Sequence, residues 1–289
     1  MPSEGEPEGV LVVGGNSTIG GALISRLDQV GLSVVWTTRR WGELGDRSLY
    51  VDLDEDQSTW NLSEESFSSA VFCAAATSIS ACESHPDATR KINVDQTVKL
   101  ADRLLANGTF VVFLSTDMVF DGSQPLARTH QDPNPVTQYG LQKADVERKL
   151  LSRSDQVAVV RLGKVVGPQT SVFSEWITDL TSGVVIHPFS DATMAPISLG
   201  CVVGLLVDIA TNRRGGIFHA TGPTDVTYAD AAYWIAHRMG VEDRLVVPIP
   251  GDHLSGDQQP AKHKALHTPM DLTEIGTTGI DALEELFSV

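Results

Sequence analysis

Residues 10–31, VLVVGGNSTIGGALISRLDQVG, read as a single structural unit. The apolar run Val10–Val13 has the length and side-chain type of a buried strand. It breaks at Gly14-Gly15-Asn16-Ser17-Thr18-Ile19-Gly20, and an amphipathic segment, GALISRLDQVG, opens directly behind the turn. Strand, glycine turn and helix in that order make the first βα unit of a dinucleotide-binding fold. Glycines let the backbone approach a pyrophosphate, and the helix N-terminus adds amide donors and the positive end of its dipole. Gly14, Asn16, Ser17, Thr18, Ile19 and Gly20 are the expected cradle.

The second strand, Ser33–Trp36, leads into Thr37-Thr38-Arg39-Arg40. NAD enzymes usually carry an acidic residue about 20 residues after the glycines, where it binds the ribose 2′-hydroxyl. No carboxylate stands there, and the guanidinium groups of Arg39 and Arg40 suit a 2′-phosphate instead. NADP(H) is therefore the preferred cofactor, with NAD(H) as the alternative. A third strand, Leu49–Val51, ends at Asp52 and Leu53, placed to meet an adenine amino group and ring. A fourth, Ala70–Ala76, ends in Ala74, Ala75 and Ala76, small enough for a flat cofactor to lie close. His85-Pro86-Asp87 starts a helix whose apolar face is Ile92, Val94, Val98, Leu100 and Leu104.

The chemistry is expected in VVFLSTDMVFDG (111–122) and QYGLQKADVERKL (138–150). A fifth strand ends at the hydroxyls of Ser115 and Thr116, and a helix then presents Tyr139 and Lys143 four residues apart on one face. An ammonium favours phenolate and lowers a tyrosine from its ordinary value of about 10. Thr116 is placed to hydrogen-bond the same substrate oxygen, with Ser115 beside the cofactor as an alternative donor, and Asp117 to orient the substrate or cap the turn. That is the equipment of a carbonyl reductase.

With a sixth strand at Val157–Leu162, strands and helices alternate over the first 160 residues, so the fold class is α/β with a doubly wound parallel sheet. Residues 10–160 form the expected NADP-binding domain. Residues 161–289 form mainly a substrate-binding lobe, with a strand near 216–220 returning to the sheet. Helices are expected at Val172–Leu180, Leu199–Ala210 and Thr227–Met239, a loop at Ser190–Ser198, and a loop or lid from Pro248 to Pro269. Residues 1–9 read as a disordered tail without the apolar core of a signal peptide.

Among 289 residues, 21 are basic and 37 acidic, and the net charge of −16 with no basic stripe speaks against nucleic acid. No apolar run approaches the roughly 20 residues that cross a bilayer, so no membrane partner is expected. Cys73, Cys82 and Cys201 share no Cys-x-x-Cys spacing, as in a cytoplasmic protein with reduced thiols. His263 and His267 have no carboxylate or cysteine cluster beside them and read as solvated histidines, so no metal is expected.

Taken in order, VVGGNSTIG, VDL, FCAAATS, INVDQTVKLA, LSTDMVFDG, DPNPVTQYGLQKADVE, RLGKVVG and DATMAPIS resemble the extended short-chain dehydrogenase/reductase superfamily. Within it they are similar to the dTDP-4-dehydrorhamnose reductase-like group, to a point near HTPMDLTEIG. The resemblance implies a Rossmann domain with a small C-terminal lobe and NADP(H)-linked reduction of a nucleotide-linked 4-keto sugar. It further implies a catalytic set at Thr116, Tyr139 and Lys143, and leaves room for a homodimer. Departures fall at Ser17, Met118, Lys164 and Met194. Lys164 stands where rhamnose-type reductases place a Trp against the sugar, and is expected to touch substrate. Met118 counts against a dehydratase; an epimerase or a non-catalytic NADP-binding regulatory subunit stays open.

Overall fold

The structure, a computed structural model, describes residues 9–62, 67–251, 262–268, 272 and 276–288. The expected tail (except Gly9), much of the 248–269 loop and most of HTPMDLTEIG lie outside them. Strands in chain order are β1 (Val10–Val13), β2 (Val34–Thr38), β3 (Ser48–Tyr50), β4 (Ser69–Phe72), β5 (Phe110–Thr116), β6 (Val157–Leu162), β7 (Lys164–Val166), β8 (Thr193–Met194), β9 (Pro196–Ser198), β10 (Gly216–Ala220) and β11 (Val226–Thr227). The helices that matter below are α1 (Thr18–Gln29), α2 (Ile79–Ser84), α3 (Pro86–Arg90), α4 (Thr97–Ala106) and α5 (Gln138–Leu151).

Seven strands form the central sheet in the order β10-β6-β5-β4-β1-β2-β3. β1 pairs in parallel with both β2 and β4, so the chain winds outward in both directions from β1. That reversal opens a crevice at the strands' C-terminal ends, where the first glycine turn and the exit of β4 lie. Gly14 sits at φ +90°, and a β-carbon there would come within 2.7 Å of the Ala74 methyl carbon. The turn and the β4 exit are thus pressed together.

The chain forms two compact units that interleave in sequence. The first holds Met1–Val119, Asp132–Arg161 and Val203–Phe218; the second holds Phe120–Gln131, Leu162–Val202 and His219–Val289. The first unit's core packs Leu11, Val13, Phe72, Val111, Phe113 and Val146, together with further apolar side chains. In the second, Ala192–Ser198 is more than the expected loop, because β8 pairs with β11 and β9 with β7. Met194 is buried in that unit's own core, beside such residues as Phe173 and Ile235, which accounts for a large side chain at this point.

β4 stops at Phe72, four residues before its expected end. The Cys73 amide still donates to the Val13 carbonyl, after which the chain leaves the ladder. Between α3 and α4 the backbone is π-helical over Lys91–Gln96, a rare geometry that concentrates at functional positions.

Helix α5 is fixed to the sheet by a buried charge pair. Arg161, at the end of β6, donates from Nη2 to Glu147 Oε2 at 2.7 Å, with side-chain exposures of 1% and 3%. Arg161 Nε reaches both carboxylate oxygens at 3.1 and 3.2 Å, and the Ser115 hydroxyl of β5 donates to Oε1. Removing one partner strands a buried charge, so Glu147→Ala or Arg161→Met should each cost about 3–5 kcal/mol of stability. The double variant Glu147→Leu/Arg161→Met should recover much of that loss. Urea denaturation of the three variants checks the expectation, and additive losses in the double variant would contradict it.

Candidate active site

The glycine turn closes on itself through Ser17. Its hydroxyl caps α1, accepting from the Gly20 amide at 3.0 Å while donating to the Gly14 carbonyl at 2.8 Å. Its backbone is extended, φ −76° and ψ 157°, so no glycine is required at this departure from the family pattern. Asn16 and Thr18 are exposed, Ile19 half-buried, and the Gly14 amide donates to Thr37 Oγ1 at 2.9 Å. A 12-residue helix whose first-turn amides open at a glycine turn is a donor set that fits a dinucleotide pyrophosphate.

Arg39 and Arg40 are exposed at the exit of β2. A 3₁₀ turn at Trp41–Glu43 follows and folds a carboxylate back onto this corner. Glu43 accepts from Arg40 Nη1 at 2.8 Å and from Asn16 Nδ2 at 2.6 Å. Residues 37–40 themselves hold no carboxylate, as expected. The acid lies three residues further on, and a one-turn reversal brings it back. Leu53 is 6% exposed and packs into the first unit's core. Asp52 Oδ1 accepts from the Asp54 amide at 2.9 Å.

Beyond β4, Ala74, Ala75 and Ala76 are half-buried. Asn93, from the π-helical stretch, grips Ala76 twice: Oδ1 accepts from its amide at 2.8 Å and Nδ2 donates to its carbonyl at 2.9 Å. The same Nδ2 donates to Gln142 Oε1 at 2.8 Å, and Gln142 Nε2 donates to Thr89 Oγ1 at 2.9 Å. Asn93, Gln142 and Glu147 are not among the site residues expected from the sequence. Glu147 had a readable signal, because Tyr139, Lys143 and Glu147 recur at i, i+4, i+8 on one face of α5.

Helix α5 meets the turn after β5 closely. A β-carbon at Gly140 would stand 2.2 Å from the Met118 carbonyl oxygen, so only glycine allows this approach. Lys143 is buried, donating from Nζ to the Leu114 carbonyl at 2.8 Å, with Nζ 4.6 Å from the Phe113 ring centre and 5.8 Å from that of Tyr139. Burial pulls its ammonium down from 10.5 to about 8, against the opposing pull of Glu147 and the thiols of Cys73 and Cys82. The Tyr139 phenol moves the other way from the expected lowering. Burial pushes it well above its ordinary range, and the Asp117 carboxylate and Cys82 add to the rise.

Thr116 is buried, its hydroxyl donating to Asp117 Oδ1 at 3.0 Å and accepting from the Met118 amide at 3.2 Å. Ser115 serves differently from expectation: its hydroxyl is given to Glu147, so it is no spare donor for cofactor or substrate. In the second unit Lys164 is half-buried, with Nζ 5.5 Å from the centre of the buried Phe173 ring. His263 Nδ1 lies 3.1 Å from an Asp225 carboxylate oxygen. Among the described residues no cluster of three potential metal ligands occurs, and no helix is long and apolar enough to cross a membrane.

The family model described as the RmlD substrate binding domain matches residues 8–285. Methionine adenosyltransferase 2 subunit beta of Bos taurus is 28% identical over 221 residues, 73% of this chain and 64% of that protein. The match thus spans less than two thirds of that relative's length. The probable low-salt glycan biosynthesis reductase Agl14 of Haloferax volcanii is 25% identical over 245 residues, 82% of each chain. A dTDP-4-dehydrorhamnose reductase from Bacillus anthracis, crystallised with NADP, shares the fold. It covers 98% of this chain and 99% of its own with a TM-score of 0.83 at 18% identity. A match running from the first strand almost to the end of the chain means that this protein belongs to the RmlD substrate-binding-domain family of extended short-chain dehydrogenase/reductases.

Proposed function

We propose that the protein is a reductase that uses NADP(H), in preference to NAD(H), on a nucleotide-linked 4-keto sugar. One observation carries this reading: a protonated, half-buried phenol and a buried ammonium share a helix face, beside a strand that ends in the Thr116 hydroxyl. The NADP named for the Bacillus anthracis structure and the glycan reductase of Haloferax volcanii support it. When bound, the reduced nicotinamide supplies a hydride to the carbonyl carbon.

Tyr139 gives its proton to the carbonyl oxygen as that oxygen gains charge. Its raised pKa keeps the phenol loaded at neutral pH, which suits an acid rather than a base. Lys143 stays charged below about pH 8 and favours negative charge on Tyr139 once the proton has left. Thr116 donates to the same oxygen after turning from Asp117. Asn93 and Gln142 hold the β4 exit against α5, keeping Ala76 and the tyrosine helix in register. Lys164 is assigned to an anionic or hydroxyl-rich part of the sugar. A second reading, a dinucleotide-binding subunit of another enzyme, is supported by the 28% identity to a subunit of methionine adenosyltransferase 2.

NADPH oxidation across a panel of nucleotide-4-keto-sugars separates the two. Tyr139→Phe should hold NADPH affinity within a few-fold and abolish turnover. A protein that turns over no sugar, and whose assayed activities ignore Tyr139→Phe, is the subunit instead.

Lys143 provides a pH test. In the fold it titrates at about 8 and in the unfolded chain at 10.5, so between those values the unfolded chain holds one more proton. Stability should therefore rise with pH across that window, by up to about 3 kcal/mol, while turnover falls above pH 8. Lys143→Met should be inactive yet more stable than wild type at pH 7, with the advantage shrinking toward pH 10.5. Thermal melts across that range measure it, and a less stable variant at neutral pH would refute the burial penalty.

Lys164→Met should weaken substrate binding, read as a raised KM, and leave NADPH affinity unchanged. An unaltered KM would remove Lys164 from the sugar's contacts.

A further inference from the structure

The corner that should take the 2′-phosphate already contains an anion. Glu43 spends one carboxylate oxygen on Arg40, at 2.8 Å, and the other on Asn16 of the glycine turn, at 2.6 Å. The contact to Asn16 spans 27 residues of sequence, so this is more than a local i,i+3 pair on one turn. It ties the β2 exit to the loop after β1. Arg40 and Asn16 together hold the Glu43 carboxyl below the ordinary carboxylate range, so it is ionised at neutral pH. Arg40 and Glu43 are 62% and 45% exposed in their side chains, which makes the pair weak and easily opened.

We infer that Glu43 sets the dinucleotide preference of this protein by competing with the 2′-phosphate for Arg40 and by accepting from the 2′-hydroxyl when that phosphate is absent. The inference rests on the dinucleotide-binding reading above and assigns a specificity role within it. The chemistry is an exchange of anions. A dinucleotide bearing a 2′-phosphate takes the Arg40 guanidinium only by displacing a carboxylate, which then stays close to a phosphate of like charge. Part of the charge-assisted gain is lost in that exchange. A dinucleotide with a free 2′-hydroxyl needs no displacement, because an ionised carboxylate at this corner is an acceptor already in position. Two arginines alone would give a strong bias toward NADP(H). Two arginines with Glu43 between Arg40 and the glycine turn give a narrowed one.

Glutamine keeps the shape of the side chain and removes its charge, so Glu43→Gln is the informative variant, with Glu43→Ala as a second that leaves no side chain to compete. Calorimetric titration of NADPH and of NADH into wild type and both variants reads the effect directly, without turnover. In both variants NADPH should bind about two- to fivefold more tightly than in wild type, with NADH unchanged or a few-fold weaker. The same gain should appear with 2′,5′-ADP and be absent with 5′-AMP, which lacks the phosphate. If wild type binds dinucleotide but both variants keep its NADPH-to-NADH ratio or shift it toward NADH, Glu43 is no discriminator and the reductase reading is untouched. If wild type binds neither dinucleotide, the cofactor assignment fails and this inference fails with it.

Discussion

Glu147 carries its carboxylate into the buried interior, and the fold pairs it from two strands at once. Arg161 comes from the end of β6 and Ser115 from the end of β5. The pair adds little net stability over an apolar equivalent, since desolvation consumes much of the Coulombic gain. What it fixes is an orientation. With Glu147 pinned, the face of α5 that holds Lys143 and Tyr139, one and two turns earlier, has a single rotation open to it. The close approach at Gly140 then fixes the depth of the helix against the turn after β5.

The two candidate reacting groups are shifted by one cause acting on opposite charges. Withdrawal from water penalises whichever form is ionised, so the phenol is driven toward its neutral form, and the ammonium toward its neutral form as well. Neutral tyrosine and still-charged lysine coexist at pH 7 because Lys143 retains a carbonyl, an aromatic face and the field of Glu147. Burial, the largest cause of the shift at Tyr139, runs against the lowering expected from a neighbouring lysine. A proton donor at rest is the outcome.

Much of this was legible in the sequence where local rules are strong. Val10–Gly20 carries its strand, turn and helix in plain view, and Gln138–Leu151 carries its helix and its reactive pair. Apolar composition misled at Cys73–Ala76, where alanines extend the pattern of a strand although the ladder has ended. There the chain is held by the Asn93 side chain, and no hydrophobic period reports such a long-range bond. The π-helical turn that delivers Asn93 is hidden for a similar reason, since its apolar spacing resembles that of an ordinary helix. The place of Glu43 is hidden because distance along the chain carries no trace of the reversal at Trp41–Glu43. The partner of the Ser115 hydroxyl is hidden too, because it lies 32 residues away on a helix.

The interleaving of the two units bears on how the chain is made. Synthesis proceeds from the N-terminus, and segments fold as they emerge. The first unit regains the chain at Val203–Phe218, and β10 completes the sheet beside β6 only when Gly216–Ala220 has been added. Until then the backbone edge of β6 is open, next to strands already able to pair, and such an edge is a template for unwanted association. Residues 162–202, which pass to the second unit, must be threaded out and back in that interval. A ribosome-bound intermediate ending near residue 210 is therefore the species with most to gain from a chaperone, and no cut in the gene yields either unit as one uninterrupted fragment.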